Sequence, residues 1–209
     1  MKELHNVSLA EKTTFRVGGT ALNYYIPENT DELITLVCRL NGNDYRFISG
    51  GSNMLINDKQ TFENIIFCGE FDSMLTDLGE GRFYIGASNR IQKVISFVND
   101  CGYGGFEELI GLPAMFGGII YMNAGIGGRG KERFNICDFI ERVKCLDKRK
   151  CEIVWLNKDD CGFAYRDSIF KTNDYIILGA EIRLKPQDML CPVCAGNPRA
   201  VSVARGRRG

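Results

Sequence analysis

Residues 105 to 130 read GFEELIGLPAMFGGIIYMNAGIGGRG, with eight glycines in 26 positions. The stretch is too apolar for a linker and too rich in glycine for an ordinary helix, so something must approach this backbone closely. Within it, Pro113 can open a helical turn, and Gly117 and Gly118 allow a flat ligand or another backbone to lie against the chain. Asn123 offers an amide near the end of the segment. Close packing of one helix on another would ask for the same glycines. The run from Gly125 to Lys131 has the Gly-x4-Gly-Lys spacing of a nucleotide-triphosphate loop, but Glu132 follows where a magnesium-binding Ser or Thr is needed, so a loop is expected there.

On both sides the pattern mixes strand and helix. ALNYYIP reads as a strand after the turn-like TTFRVGGT, and Asn29 with Glu32 forms a capping-box signature for a helix with Leu33, Ile34, Leu36, Val37 and Leu40 inward, ending near Gly42. YRFIS is a second strand that runs into Gly-Gly-Ser-Asn, and NIIFCG closes the first unit near Cys68. RFYIGA opens a second unit. A helix capped by Ser88 follows, with Ile91, Val94, Ile95 and Val98 on its apolar face. FIERVKCLD and KCEIVWL read as a hairpin around Lys148 and Arg149, residues 157–170 as a loop with one helical turn, and YIILGAEIRLKP as the last strand, with regular structure stopping near Pro186.

Two further stretches carry chemistry. In FISGGSNMLI, residues 47–56, two glycines let backbone N–H groups face an anion at close range while Ser52 and Asn53 add donors, which suits a diphosphate or a plain hairpin turn. In GFAYRDSIFK, residues 162–171, Arg166 sits in an apolar frame. A guanidinium so placed meets a carboxylate, a phosphate or a developing oxyanion, or else forms a structural pair with Asp167 or a distant Glu. The residues alone leave these alternatives open.

Composition narrows the classes. The net charge is zero, which argues against a broad basic face for nucleic acid. No run is long and apolar enough to cross a bilayer and the N-terminus has no signal-peptide pattern, so a cytoplasmic protein is expected. His5 is the single histidine, which nearly excludes His-based zinc sites and Ser-His or Cys-His nucleophiles. The nine cysteines are expected to be mostly free thiols, and the lone pair Cys191 and Cys194 lacks the further ligands of a zinc site. From Gln187 the tail holds four arginines and one aspartate, with no Phe, Tyr, Trp, Lys or Glu.

In order and rough spacing, TTFRVGGTA, FISGGSNMLI, GLPAMFGGIIYMNAG and GFAYRDSIFK resemble the UDP-N-acetylenolpyruvoylglucosamine reductase family of bacterial cell-wall synthesis, from about Phe15 to Pro186. YRDSIF is the most specific element. The resemblance implies an α+β, two-subdomain FAD-binding fold of the vanillyl-alcohol-oxidase/PCMH type, with subdomains at residues 1–68 and 69–186 and an atypical tail at 187–209. It implies that Gly50, Gly51, Ser52, Asn53 and Met54 follow the FAD diphosphate, and that Pro113, Gly117 and Gly118 line the flavin. Arg166 would stabilise the enolate formed when hydride from NADPH, passed through FAD, reaches the enolpyruvyl double bond of the UDP-sugar substrate. Tyr165 and Asn123 would shape the substrate pocket, and no metal, nucleic acid or membrane is involved.

The sequence departs from the family at Ser49 and Ala114, where glycine is usual, and after Gly125, where an aromatic residue is common. The family's third domain, its serine proton donor and its late glutamate are not recognisable. Ser202 does not match, and no glutamate follows Glu181. The chain is therefore expected to lack the C-terminal substrate domain. A catalytically incomplete FAD-binding remnant or interaction module, and a flavin oxidoreductase acting on another small molecule, are the competing expectations.

Overall fold

The computed structural model describes residues 1–127, 134–171 and 175–187. The chain opens with β1 (Lys2–Ser8), β2 (Thr20–Ile26), α1 (Thr30–Arg39), β3 (Tyr45–Ile48) and β4 (Thr61–Phe67). These strands form one sheet in the order β1-β2-β4-β3, with β1 antiparallel to β2 and the other pairs parallel. Parallel neighbours need a crossover, and α1 supplies the one between β2 and β3. Its cap is the expected one: Glu32 N–H donates to Asn29 Oδ1 at 2.9 Å, and Glu32 Oε2 accepts from Glu28 N–H at 2.9 Å.

A second sheet follows from β5 (Leu75–Gly79) and β6 (Arg82–Gly86), with α2 (Ile91–Asp100), a short β7 (Tyr103–Gly104) and α3 (Phe116–Tyr121) leading onward. After the two-residue pair β8 (Gly125–Ile126) and β9 (Phe134–Asn135) come β10 (Ile140–Asp147), β11 (Glu152–Asn157), β12 (Tyr175–Arg183) and β13 (Lys185–Pro186). The order β11-β10-β12-β6-β5 is antiparallel throughout. The hairpin around Lys148 and Arg149 is β10–β11, and short 3-10 turns at Lys158–Cys161 and Ile169–Lys171 bracket the loop between β11 and β12.

On α2, Ile91, Val94, Ile95 and Val98 are each 3% exposed or less, and full burial of such side chains contributes about 1.5–3 kcal/mol apiece. They join one apolar cluster with Leu33, Leu36 and Val37 of α1 and with Val143, Leu146 and Leu178 of the second sheet. The two sheets thus share a core, which fixes the loops at their edges relative to each other.

One expectation is corrected. Ser88 does not cap α2: helix-starting Arg90 has no side-chain cap, and Ile91 N–H donates to the distant Ala114 carbonyl at 3.1 Å. Ser88 Oγ instead donates to Cys68 O and accepts from Asp72 N–H. The described cysteines are mostly free thiols, as expected: Cys68, Cys101, Cys137, Cys145 and Cys161 are free, while Cys38 and Cys151 are bonded as a disulfide. The loop expected at Gly125–Lys131 falls partly, and the tail beyond Gln187 with Cys191 and Cys194 wholly, outside the described residues.

Candidate functional site

The four glycine-bearing motifs touch in succession. Thr14 N–H donates to Gly51 O at 3.0 Å, so the TTFRVGG turn lies against the Gly-Gly-Ser-Asn loop. Gly51 has φ +63°, and a Cβ there would stand 2.1 Å from Lys12 O. Its neighbour Gly50 faces the other way, where a Cβ would be 3.6 Å from Pro113 O and 3.8 Å from Met115 Cγ. The first loop thereby meets the entrance of α3. Ser52 and Met54 are half-buried and Asn53 is exposed; Met54 packs against the small cluster under the first sheet.

Around α3 the chain is stitched tightly to the start of α2. Phe116 N–H donates to Asn89 O at 2.8 Å and Gly117 N–H to Ala87 O at 2.9 Å. A Cβ at Gly117 would lie 2.9 Å from Ala87 Cβ, so this glycine is needed by the packing itself. At Gly118 a Cβ would meet nothing within 4 Å. No contact inside the described chain asks for glycine at that position.

Between the end of β4, the start of α2 and Met115 lies a cleft of about 310 Å³, lined by Phe67, Glu70, Ser88, Arg90, Lys93 and Met115. That volume is at the lower end for small-molecule sites. Arg90 and Lys93 stand at the start of α2, whose first turn has no acidic residue. Cations at a helix N-terminus oppose the macrodipole, and an anion bound beside them would reverse the sign of that interaction. The sequence reading missed both residues, although a basic pair where acids are preferred is a legible departure.

Arg166 lies at the far end of α3. Ala164 and Asp167 exchange backbone hydrogen bonds of 3.0 and 3.2 Å across a tight turn, and Arg166 occupies it at φ +55°. For a residue with a Cβ, that backbone is strained by roughly 1 kcal/mol or more. Three contacts suspend the turn from the segment leaving α3. Asn123 Nδ2 donates to Ala164 O at 2.8 Å, Ser168 Oγ donates to Tyr121 O at 2.7 Å, and an Arg166 guanidinium nitrogen donates to Gly125 O at 2.6 Å. Lys171 Nζ donates to Arg166 O.

The guanidinium is not paired with Asp167, which lies 3.6 Å from Lys171. Arg166 is exposed and 5.9 Å from the ring of Tyr165, which is 73% exposed. The cation therefore stands on an open face rather than in an enclosed pocket. Burial, and next the charge of Asp167, push the nearby Tyr121 hydroxyl up from its ordinary range. Asn123, 5% exposed, spends both ends of its amide inside the chain: besides its bond to Ala164, its Oδ1 accepts from Cys137 N–H at 3.3 Å. The bond to Ala164 holds the arginine turn to the segment leaving α3, and the bond from Cys137 anchors the amide that makes it.

No family model matches the chain. Among curated proteins it is 30% identical over 183 residues to the UDP-N-acetylenolpyruvoylglucosamine reductase of Prochlorococcus marinus, covering 87% of this chain and 60% of that protein. It is 32% identical over 183 residues to the same-named protein of Fervidobacterium nodosum, covering 86% of this chain and 56% of that one. Among solved structures, UDP-N-acetylenolpyruvylglucosamine reductase (MurB) from Thermus caldophilus superposes with a TM-score of 0.70 at 26% identity, covering 90% of this chain and 63% of that one. Cholesterol oxidase from Brevibacterium sterolicum superposes at a TM-score of 0.59 with 9% identity, covering 80% of this chain and 34% of that one, a likeness of fold alone. The fold is the expected α+β, two-subdomain FAD-binding fold of the vanillyl-alcohol-oxidase/PCMH type. The chain spans 60% and 56% of the lengths of those two curated relatives. Over the part that it shares with them, the chain is similar in sequence and in fold to the UDP-N-acetylenolpyruvoylglucosamine reductases.

Proposed function

We propose that this chain binds FAD and carries the cofactor half of an NADPH-using reduction of UDP-N-acetylglucosamine enolpyruvate to UDP-N-acetylmuramate, in peptidoglycan synthesis in the cytoplasm. One observation carries the reading: the motifs join in an unbroken line of contacts, Thr14 to Gly51, Gly50 beside Pro113, and Asn123 and Gly125 to the turn of Arg166. Among the described residues, no helix is long and apolar enough to cross a membrane.

The residues fit the cofactor. Gly50 and Gly118 leave the backbone open where no neighbour in the described chain requires it. The cleft offers the apolar Phe67 and Met115 beside two cations, Arg90 and Lys93, against one carboxylate, Glu70, a net positive combination suited to a flat ring system attached to a diphosphate. On this reading Gly50, Gly51, Ser52, Asn53 and Met54 follow the diphosphate, and Pro113, Gly117 and Gly118 border the ring. Bound FAD would accept hydride from NADPH and deliver hydride to the enolpyruvyl double bond.

The chain's own contribution to that step is electrostatic. As hydride arrives, negative charge develops on the enolpyruvyl group, and the Arg166 guanidinium meets it. A fixed donor aimed at charge that appears only in the transition state is worth about 3 kcal/mol. Asn123 and Ser168 keep that donor in place, since the turn that carries it is tied to the exit of α3. Tyr165 supplies an aromatic wall beside it. FAD titration of the purified chain tests the reading: quenching of flavin fluorescence is expected. Anaerobic NADPH followed by the enolpyruvyl substrate should first bleach and then restore the flavin absorbance. A chain that leaves flavin fluorescence unchanged refutes the cofactor assignment, and flavin that is reduced but never reoxidised by substrate refutes the reductase activity of this chain.

A further inference from the structure

The bonded pair Cys38–Cys151 crosses the molecule. Cys38 sits in the last turn of α1, in the first sheet's unit, and Cys151 ends the turn between β10 and β11 of the second sheet. Their Cα atoms are 6.2 Å apart across 113 residues of sequence, a separation ordinary for a disulfide. Both residues are half-buried, within reach of a small reagent. The same β10–β11 turn places Lys148 Nζ 5.8 Å from the ring of Tyr45 at the start of β3, the strand that leads directly into Gly50 and Gly51.

The other described cysteines differ. Burial pushes the Cys68 and Cys161 thiols up to about 12 and raises Cys145 further. Burial raises Cys101 and Cys137 as well. Such thiols stay protonated and unreactive near neutrality. Cys151 instead lies half-buried in an exposed turn, where a small reagent reaches it.

We propose that Cys38 and Cys151 form a reversible redox staple, whose state sets how firmly the two sheets, and with them the two sides of the cleft, are held together. The reagent is a low-molecular-weight disulfide. The Cys151 thiolate attacks one of its sulfurs, forming a mixed disulfide and releasing one small thiolate. The Cys38 thiolate then attacks Cys151 Sγ, forming the Cys38–Cys151 bond and releasing the second. The two protein thiols lose two electrons and two protons in all. The small disulfide gains both and leaves as two thiols. Glutathione-type thiols in excess run the sequence backwards. In a reducing compartment, a bond of this kind acts as a sensor rather than a permanent brace.

Only the naming of the cleft as an FAD seat rests on the proposed function. The test compares the reduced full chain with the chain oxidised by glutathione disulfide, using a non-reducing peptide map, thermal melting and FAD titration. The expected result is a dominant Cys38–Cys151 peptide, a melting temperature higher by about 10 °C in the oxidised form, and FAD binding tighter by about 5-fold. Cys38→Ser should melt like the reduced wild type under both conditions; if it does not fold, the reduced wild type is the reference. The proposal is overturned if glutathione disulfide leaves the two cysteines unlinked, or if linked and reduced forms melt alike. Should the link and the melting shift be present while neither form binds FAD, the cofactor reading fails and the staple stands.

Discussion

Each of the two glycine pairs, Gly50–Gly51 and Gly117–Gly118, contains one glycine that the fold consumes and one that it does not. Gly51 and Gly117 are fixed by their own surroundings, Lys12 O at 2.1 Å and Ala87 Cβ at 2.9 Å from where a Cβ would be. Gly50 has only ordinary contacts at 3.6 Å and beyond, and Gly118 has none within 4 Å. The same residue type thus serves two ends in adjacent positions. One glycine lets the chain touch itself, and the other keeps a surface bare for something that is not the chain.

Substitutions can break this contrast. Gly51→Ala should be the most damaging, about 3–4 kcal/mol, because it combines a steric overlap with a left-handed backbone; urea unfolding reads it, and a loss under about 1 kcal/mol would contradict the packing argument. Asn123→Ala should come next at about 2 kcal/mol, since it removes two side-chain hydrogen bonds, to the Ala164 carbonyl and from the Cys137 N–H, and leaves that N–H without its partner. The conservative Asn123→Asp should recover part of the loss through Cys137 alone. Gly117→Ala should cost about 1–2 kcal/mol, with overlap against Ala87 partly offset by better helix propensity. The sharpest prediction is the smallest in stability. Gly118→Ala lies inside α3 and should stabilise the fold by up to about 1 kcal/mol, yet weaken FAD binding at least tenfold in a fluorescence titration. Tighter FAD binding in that variant would remove Gly118 from the cofactor surface.

Legibility in the sequence followed burial. α1 and α2 were readable because their inward positions recur at the helical period and are almost fully buried. β6 and β12 were readable as dense apolar runs in the middle of a sheet. β1 was missed because KELHNVS is exposed over nearly its whole length and pairs on one side only, so no apolar alternation marks it. β5, the other sheet's edge, failed for the same reason. At the site, residue types and order pointed to Arg166 and the glycines, whereas partners could not be read. Arg166 finds Gly125 from 41 residues away, α2 is capped from Ala114, and Cys38 meets Cys151 across 113 residues. Tertiary partners leave no local periodicity to detect.

The suspension of the Arg166 turn from the exit of α3 also bears on precision. α3 is six residues long, a rise of about 9 Å, and the proposed cofactor surface is at one end of it with the cation at the other. Positional error between two parts of a protein grows with the number of flexible joints separating them. Here a single rigid strut separates them, so thermal motion of the sheets displaces ring seat and guanidinium together, and their mutual alignment survives movements that would blur a site assembled from independent loops.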